Sequence, residues 1–108
     1  MKIKAVFKYL ESNELGFNQI IYPQFRGSIW FDNITFTAFE IEEILNDSCI
    51  ILPSFEETVI MQILDSSVAK SLKIQDELNW GVPYKIIGSI IVKEIIIPCK
   101  KDFFGNRS

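Results

Sequence analysis

The sequence predicts an all-β domain, and within that class a small antiparallel barrel of six or seven strands. Nineteen of the 108 residues are isoleucine, and β-branched side chains suit a pleated, half-buried surface. Several segments alternate polar and apolar residues with the period of two that strands require. A closed barrel also removes the exposed strand edges that so many isoleucines would make prone to aggregation. A β-sandwich is the alternative.

The first strand is predicted over residues 2–10, where every second side chain is apolar: Ile3, Ala5, Phe7 and Tyr9. Polar residues then predict a loop over residues 11–19, and Pro23 favours extended backbone before a second strand that starts near Gln24. Aromatic residues recur from residue 25 to residue 39. Gly27 and Asp32-Asn33 interrupt this run, which fits either a bulge or a turn between two strands.

Residues 40–45 fit either a short strand or one helical turn, because Ile41, Ile44 and Leu45 have helical spacing. Residues 55–64 predict a strand whose two faces are both largely apolar beyond Thr58, so we expect both faces to be covered. The sequence Asp65-Ser66-Ser67 is expected to cap a helical turn that runs to about Leu72.

The last and longest strand is predicted over residues 84–97. Strict alternation places Ile86, Gly88, Ile90 and Val92 on one face, with Ile87, Ser89 and Ile91 on the other. Gly88 is expected to mark a bend. Residues 1–97 therefore form one domain, and residues 98–108 are expected to be a mobile end or a flap over the surface.

The composition argues against most enzyme chemistry. The chain has no histidine, which removes the commonest general base and zinc ligand. Cys49 and Cys99 are too far apart in sequence for a metal knuckle or a redox dithiol. Glu56 and Glu57 alternate to opposite faces of one strand, which disfavours a catalytic carboxylate pair. We therefore predict no enzyme activity, no catalytic residues, no metal and no cofactor.

The sequence also limits the cellular setting and the partners. No apolar run approaches the roughly 20 residues of a membrane span, and the start lacks the features of a signal peptide. These features predict a cytoplasmic protein without a membrane partner. No GxxxxGK[ST] loop occurs, so no nucleotide is expected. The formal net charge of −3 provides no basic field for nonspecific binding of nucleic acid.

Four landmarks between residues 2 and 97 resemble the third, C-terminal β-barrel domain of bacterial elongation factor Tu, here as a stand-alone domain. The family follows its first strand with Tyr-Arg-Pro-Gln-Phe, and this chain has Tyr22-Pro23-Gln24-Phe25. A Met-Pro-Gly turn, a strand and a Ser-Pro helical turn come next, where this chain has Leu52-Pro53-Ser54, residues 59–64 and Asp65-Ser66-Ser67. The family closes with Val-Gly-x-Gly-Val-Val-x-x-Ile, and residues 87–95 of this chain lie in its place.

The resemblance implies a barrel fold and, in the family, contact with the T stem of aminoacyl-tRNA. That contact uses the glutamine of the first motif, which Gln24 keeps. It also uses an acidic residue of the hairpin before the last strand, where this chain has Val82. The family's arginine between tyrosine and proline is missing, and Ile90 replaces the second glycine of the closing strand. These departures, with the acidic net charge, disfavour RNA binding.

Fourteen aromatic residues exceed what so small a barrel can bury, so some are expected outside. Because Trp, Tyr and Arg are enriched at interface hot spots, the partner surface is predicted to contain Tyr22, Gln24, Arg26, Trp30, Trp80 and Tyr84. The same aromatics would otherwise plug the barrel ends. The acidic cluster Glu40, Glu42, Glu43 and Asp47 fits a docking patch for a basic partner or an ordinary solvated face.

The sequence thus favours a noncatalytic protein-binding barrel. A sharper hypothesis is an immunity protein that covers a basic bacterial toxin. The alternative is a translation-related tRNA- or RNA-binding module.

Overall fold

Six antiparallel strands close into a barrel in the computed structural model of the chain, which describes residues 1–10, 19–32, 34–65, 67, 70–82 and 85–96. The strands are β1 (Lys2–Tyr9), β2 (Arg26–Trp30), β3 (Phe36–Ile44), β4 (Glu56–Ile63), β5 (Glu77–Val82) and β6 (Lys85–Ile96). Around the barrel their order is β1-β4-β3-β2-β5-β6, and β6 pairs with β1. The predicted all-β barrel is therefore confirmed, and the sandwich is not formed.

The core forms where alternate side chains of the strands point inward. Ile3, Ala5, Phe7 and Tyr9 of β1 are all buried, as their spacing predicted. Val59, Met61 and Ile63 of β4 are buried in the same way, whereas the outward-facing Thr58, Ile60 and Gln62 are half-buried. The outer face of β4 is thus only partly covered.

Trp80 of β5 lies at the centre of this core. Its ring stacks on Phe7 with centroids 4.4 Å apart and meets Tyr9, Phe25 and Phe39 edge-on at 5.7–6.3 Å. Its indole Nε1 donates a hydrogen bond of 2.9 Å to the Lys8 carbonyl of β1. Because a buried indole N–H needs an acceptor, this bond allows a tryptophan to occupy the middle of the barrel.

Gly88 of β6 leaves the space for that hydrogen bond. A Cβ at this position would lie 2.0 Å from the Lys8 carbonyl oxygen and 2.5 Å from Trp80 Nε1. The glycine therefore allows close approach of the backbone, which is one of the roles that an interior strand glycine serves.

The ambiguous segment at residues 40–45 is strand. It continues β3, and the register against β4 shifts between Ile41 and Glu43. This bulge turns both Ile41 and Ile44 inward, where each is at most 2% exposed. A bulge inserts one extra residue, so two inward side chains are separated by three positions instead of two and imitate helical spacing.

The interruption at Asp32-Asn33 is a turn between two strands, since β2 and β3 pair as a hairpin. Asp32 Oδ1 accepts hydrogen bonds from the backbone N–H groups of Ile34 and Thr35, at 2.9 and 2.6 Å. Asn33 itself lies outside the described residues.

In β6 the predicted faces are wrong at one end. The register against β5 shifts between Trp80 and Gly81, and this irregularity turns Ile87 inward while Ile86 remains 46% exposed. Strict alternation predicts Ile86 on the same face as Ile90 and Val92, which are both buried.

Three turns of one type precede β2, β4 and β5. Gln24, Ser54 and Gln75 each have φ of 77°, and each turn closes with a bond of 3.0–3.2 Å from the fourth N–H to the first carbonyl. These are the marks of type II turns. The N–H of each of these residues also donates to a neighbouring strand, at Ile41, Tyr9 and Val92 respectively.

Two other predictions lie wholly or partly outside the described residues. Asp65 Oδ1 accepts hydrogen bonds from the N–H and hydroxyl of Ser67, as a helix cap would, but 66, 68 and 69 are not described. Residues 97–108 are not described either. None of the described segments forms a helix of the length and hydropathy that crossing a bilayer requires.

Candidate functional site: an acidic and aromatic groove

A groove of about 230 Å³ lies on the outside of the barrel, where β2, β5 and β6 run side by side. Aromatic, aliphatic, amide and carboxylate side chains share its lining: Trp30, Phe31, Asp32, Glu77, Leu78, Asn79 and Ile86. We refer to these residues as the Trp30 groove.

The strand register explains how distant parts of the sequence meet in the Trp30 groove. Trp30, the last residue of β2, pairs with Asn79 of β5. Glu77 is the first residue of β5 and immediately precedes Leu78. Ile86 reaches the groove because the irregularity at Trp80/Gly81 leaves its side chain outside. The groove therefore depends on the feature of β6 that simple alternation failed to predict.

The hairpin between β2 and β3 extends the groove with apolar surface. Phe36 is 56% exposed and packs against Trp30 with ring centroids 5.6 Å apart. Ile34 near the tip of the hairpin is 84% exposed. Exposed apolar side chains that adjoin a groove and are rimmed by charges are typical of interaction sites.

The Asp32 carboxylate keeps its negative charge at one edge of the groove. Hydrogen bonds from the backbone N–H groups of Ile34 and Thr35 lower the pKa of this carboxyl below its ordinary value, because they favour the charged form. Glu77 is exposed and makes no ion pair within the described residues. Two carboxylates therefore give the groove a negative potential.

Four of the predicted partner residues lie on β2 or in the turn that precedes it. Tyr22 is 57% exposed, and Gln24 is exposed in the type II turn before β2. Arg26 follows on the outer face of β2, where its Nη2 lies 2.9 Å from Glu40 Oε1. Only Trp30 belongs to the groove.

The two remaining predicted partner residues, Trp80 and Tyr84, are not found on the described surface of the barrel. Trp80 is 0% exposed and packs with four other rings in the core, so it is not available to a partner as a surface contact. Tyr84 lies outside the described residues. Sequence reasoning missed Asp32, Glu77, Asn79 and Ile86, because none of them has an unusual local pattern.

The acidic cluster of residues 40–47 is partly neutralised. Glu40 pairs with Arg26, and Glu42 lies 3.0 Å from Lys2 Nζ. Glu43 and Asp47 are exposed and have no ion pair in the described part of the chain. The paired half of the cluster behaves as an ordinary solvated strand face.

The lysine row of β1 lies beside acidic residues of the neighbouring strands. Lys2 pairs with Glu42, and the strand register places Lys4 opposite Glu94 and Lys8 opposite Glu56. Directly paired residues on one sheet face have Cβ atoms about 5 Å apart, so Lys4 and Lys8 each lie near a carboxylate of opposite charge. The described residues of β1 therefore provide no continuous positive stripe for a phosphate backbone.

The chain matches no protein-family model and no curated protein.

Proposed function

We propose that the chain is a noncatalytic β-barrel that binds a protein, and that the bound surface is basic and apolar. The observation that carries this proposal is the Trp30 groove, which combines a half-buried tryptophan with the carboxylates of Asp32 and Glu77. Tryptophan is among the commonest hot-spot residues of protein interfaces. Charge complementarity then selects a cationic partner and speeds its association.

The sharper form of the proposal is an immunity protein that acts in the bacterial cytoplasm by covering a basic toxin. A groove whose carboxylates lack cationic partners within the described chain supports this form, as does the net charge of −3. Such a protein acts by steric and electrostatic occupation and needs no catalytic group of its own.

The alternative is a translation-related module that binds tRNA or RNA and resembles the third domain of elongation factor Tu. Ser54 favours this alternative, because its φ of 77° suits the glycine that the family has in its Met-Pro-Gly turn. The exposed side chain of Gln24 is also compatible with an RNA contact. A closed six-stranded barrel is shared by unrelated proteins, however, and the lysines of β1 face glutamates.

An affinity pull-down from the lysate of the host organism separates the two functions. The tagged chain is incubated with and without nuclease, and bound protein and RNA are identified by mass spectrometry and sequencing. We expect one basic protein that remains bound after nuclease treatment. Enrichment of tRNA that nuclease abolishes would overturn the protein-binding proposal in favour of the alternative.

The double variant D32N/E77Q tests whether the Trp30 groove is the contact. E43Q/D47N is the matched control, since it removes the same charge from two exposed carboxylates outside the groove lining. We expect D32N/E77Q to lose the partner and E43Q/D47N to retain it. Equal retention by both variants would place the contact elsewhere on the barrel.

A further inference from the structure

The chemistry of the Trp30 groove favours one kind of side chain. The Trp30 ring offers an aromatic surface, and the Asp32 and Glu77 carboxylates offer acceptors on β2's hairpin and on β5. An occupant that uses all three must be cationic, flat enough to lie against an indole, and able to donate hydrogen bonds in several directions.

Arginine meets all three requirements, whereas lysine is cationic and has three N–H donors but no flat surface to lie against the indole. The guanidinium group is planar and weakly hydrated, so it stacks on aromatic rings. Its five N–H donors form a fixed fork that binds a carboxylate through two parallel hydrogen bonds. The lysine ammonium is a compact, strongly hydrated point charge. A cation over an indole face gains further energy from the ring quadrupole.

The Asp32 carboxylate is already fixed for such a contact. Its Oδ1 accepts the Ile34 and Thr35 N–H groups at 2.9 and 2.6 Å, so binding does not have to order this side chain from a freely rotating state. Ordering a rotamer-rich side chain on binding typically costs about 0.5–1.5 kcal/mol. A preorganised acceptor therefore favours a specific geometry of the bound cation.

We propose that the Trp30 groove binds an arginine side chain of the partner protein, with the guanidinium against the Trp30 ring and paired with Asp32 and Glu77. This inference deepens the proposed function and rests on it for the source of the arginine. The neighbouring Phe36 and Ile34, both largely exposed, then contact the apolar surroundings of that arginine on the partner.

Blocked tripeptides test the arginine preference without knowledge of the partner. The probes are acetyl-Gly-Arg-Gly-amide and its lysine and citrulline counterparts, and citrulline keeps the shape of arginine while removing the charge. Binding is followed by the NMR shifts of the Trp30 indole N–H and the Asn79 side-chain amide. The Trp80 indole is an internal reference, because it is buried and bonded to the Lys8 carbonyl.

We expect the arginine peptide to shift the Trp30 and Asn79 resonances with a dissociation constant on the order of millimolar, as suits a single side chain. The lysine peptide should bind at least threefold more weakly, and the citrulline peptide should produce no saturable shift. D32N/E77Q should weaken arginine binding at least tenfold, and E43Q/D47N should leave it unchanged. Thermal unfolding of each variant checks that the barrel remains folded.

Equal binding of arginine and citrulline peptides, or shifts that leave Trp30 unaffected, would overturn the arginine inference. The two proposals fail separately. If a captured protein partner binds D32N/E77Q as tightly as the natural chain, the proposed arginine site is wrong and the proposed protein-binding function stands. If the chain binds the arginine peptide but captures only tRNA from the lysate, the proposed arginine site stands and the proposed protein-binding function is wrong.

Discussion

At the scale of single residues, one tight constraint in the barrel joins Gly88, Trp80 and Lys8. The hydrogen bond from Trp80 Nε1 to the Lys8 carbonyl is 2.9 Å long, and a Cβ on Gly88 would collide with both partners. We expect Gly88→Ala to destabilise the fold by roughly 3 kcal/mol or more, from overpacking and from the loss of a buried hydrogen bond. Urea unfolding measures this change.

Gly27→Ala is the comparison for this prediction. A Cβ there would lie 2.9 Å from the Gly81 carbonyl oxygen and 3.0 Å from the Phe39 ring, so the crowding is much milder. The smaller contact predicts a smaller loss of stability. An equal loss in the two variants would show that glycine flexibility, and not the Trp80 contact, determines the effect.

Asp32 makes the stability of the β2–β3 hairpin depend on acid. Its carboxyl has a lowered pKa because it accepts the Ile34 and Thr35 N–H groups. A depressed pKa in the folded state contributes stability above the ordinary carboxyl pKa, and that contribution is lost as the pH falls through the lower, folded value. Asp32→Asn keeps an acceptor oxygen and removes the charge.

We therefore expect the natural chain to be more stable than the Asp32→Asn variant at pH 7, and the two to converge as the pH falls below the folded pKa of Asp32. Urea unfolding across this pH range measures the difference. Asparagine does not titrate, so the difference in free energy of unfolding between the two chains should follow the ionisation of Asp32. A difference that stays constant from pH 7 to pH 2 would contradict the role assigned to the Asp32 charge.

At the scale of elements, regular alternation could be predicted from the sequence and its interruptions could not. The β1 prediction is confirmed because its register against β4 is unbroken through seven residue pairs. The bulge in β3 and the irregularity in β6 arise where neighbouring strands enforce a shift. No local pattern distinguishes Ile41 and Ile44 on a bulge from the same residues on a helix.

Strand β5 is the element that no local pattern in the sequence predicts. Glu77–Val82 is only six residues long and contains Asn79 and Gly81, both of which are depleted in strands. The strand is instead stabilised by pairing with β2 on one side and with β6 on the other. Tertiary context thus determines the element that carries Glu77 and the central Trp80.

The type II turns make a prediction about backbone strain. Ser54 has φ of 77°, a conformation that costs most residues about 1–2 kcal/mol and costs glycine almost nothing. Ser54→Gly should therefore stabilise the barrel by about 0.5–1 kcal/mol, after part of the gain is lost to the more flexible unfolded chain. Thermal unfolding measures the shift.

Ser48→Gly is the matched control, since Ser48 is not among the described residues with positive φ. It should destabilise the protein slightly, through the same effect on the unfolded chain and through the loss of the exposed hydrogen bond that the Ser48 hydroxyl donates to Asn46 Oδ1. A loss of stability in Ser54→Gly as large as that in Ser48→Gly would contradict the role assigned to the turn.

At the scale of the whole molecule, barrel closure could be predicted but the site could not. Period-two patterning and the excess of isoleucine indicate a β-barrel with few exposed edges. The Trp30 groove instead depends on the pairing of β2 with β5 and of β5 with β6. The β2–β5 pairing joins Trp30 to Asn79, which is 49 positions later in the sequence. Trp30 could therefore be recognised as an interface candidate, while Asp32 and Glu77 could not.

The aromatic surplus illustrates the same limit. The prediction that some aromatics lie outside the barrel is confirmed by Tyr22, Phe36 and Phe55, each more than half exposed. Composition indicated that such residues exist, but it did not determine which ones. Trp80 was expected at a partner surface and is central to the core because β5 places it inward.

The most direct test of the central claim is the affinity of the captured protein partner for three forms of the chain, measured by isothermal titration calorimetry at physiological salt. The claim is that the Trp30 groove binds a basic protein through its two carboxylates. We predict that D32N/E77Q binds at least tenfold more weakly than the natural chain, a change of about 1.4 kcal/mol, and that E43Q/D47N binds within twofold. Equal affinity for all three forms would contradict the claim.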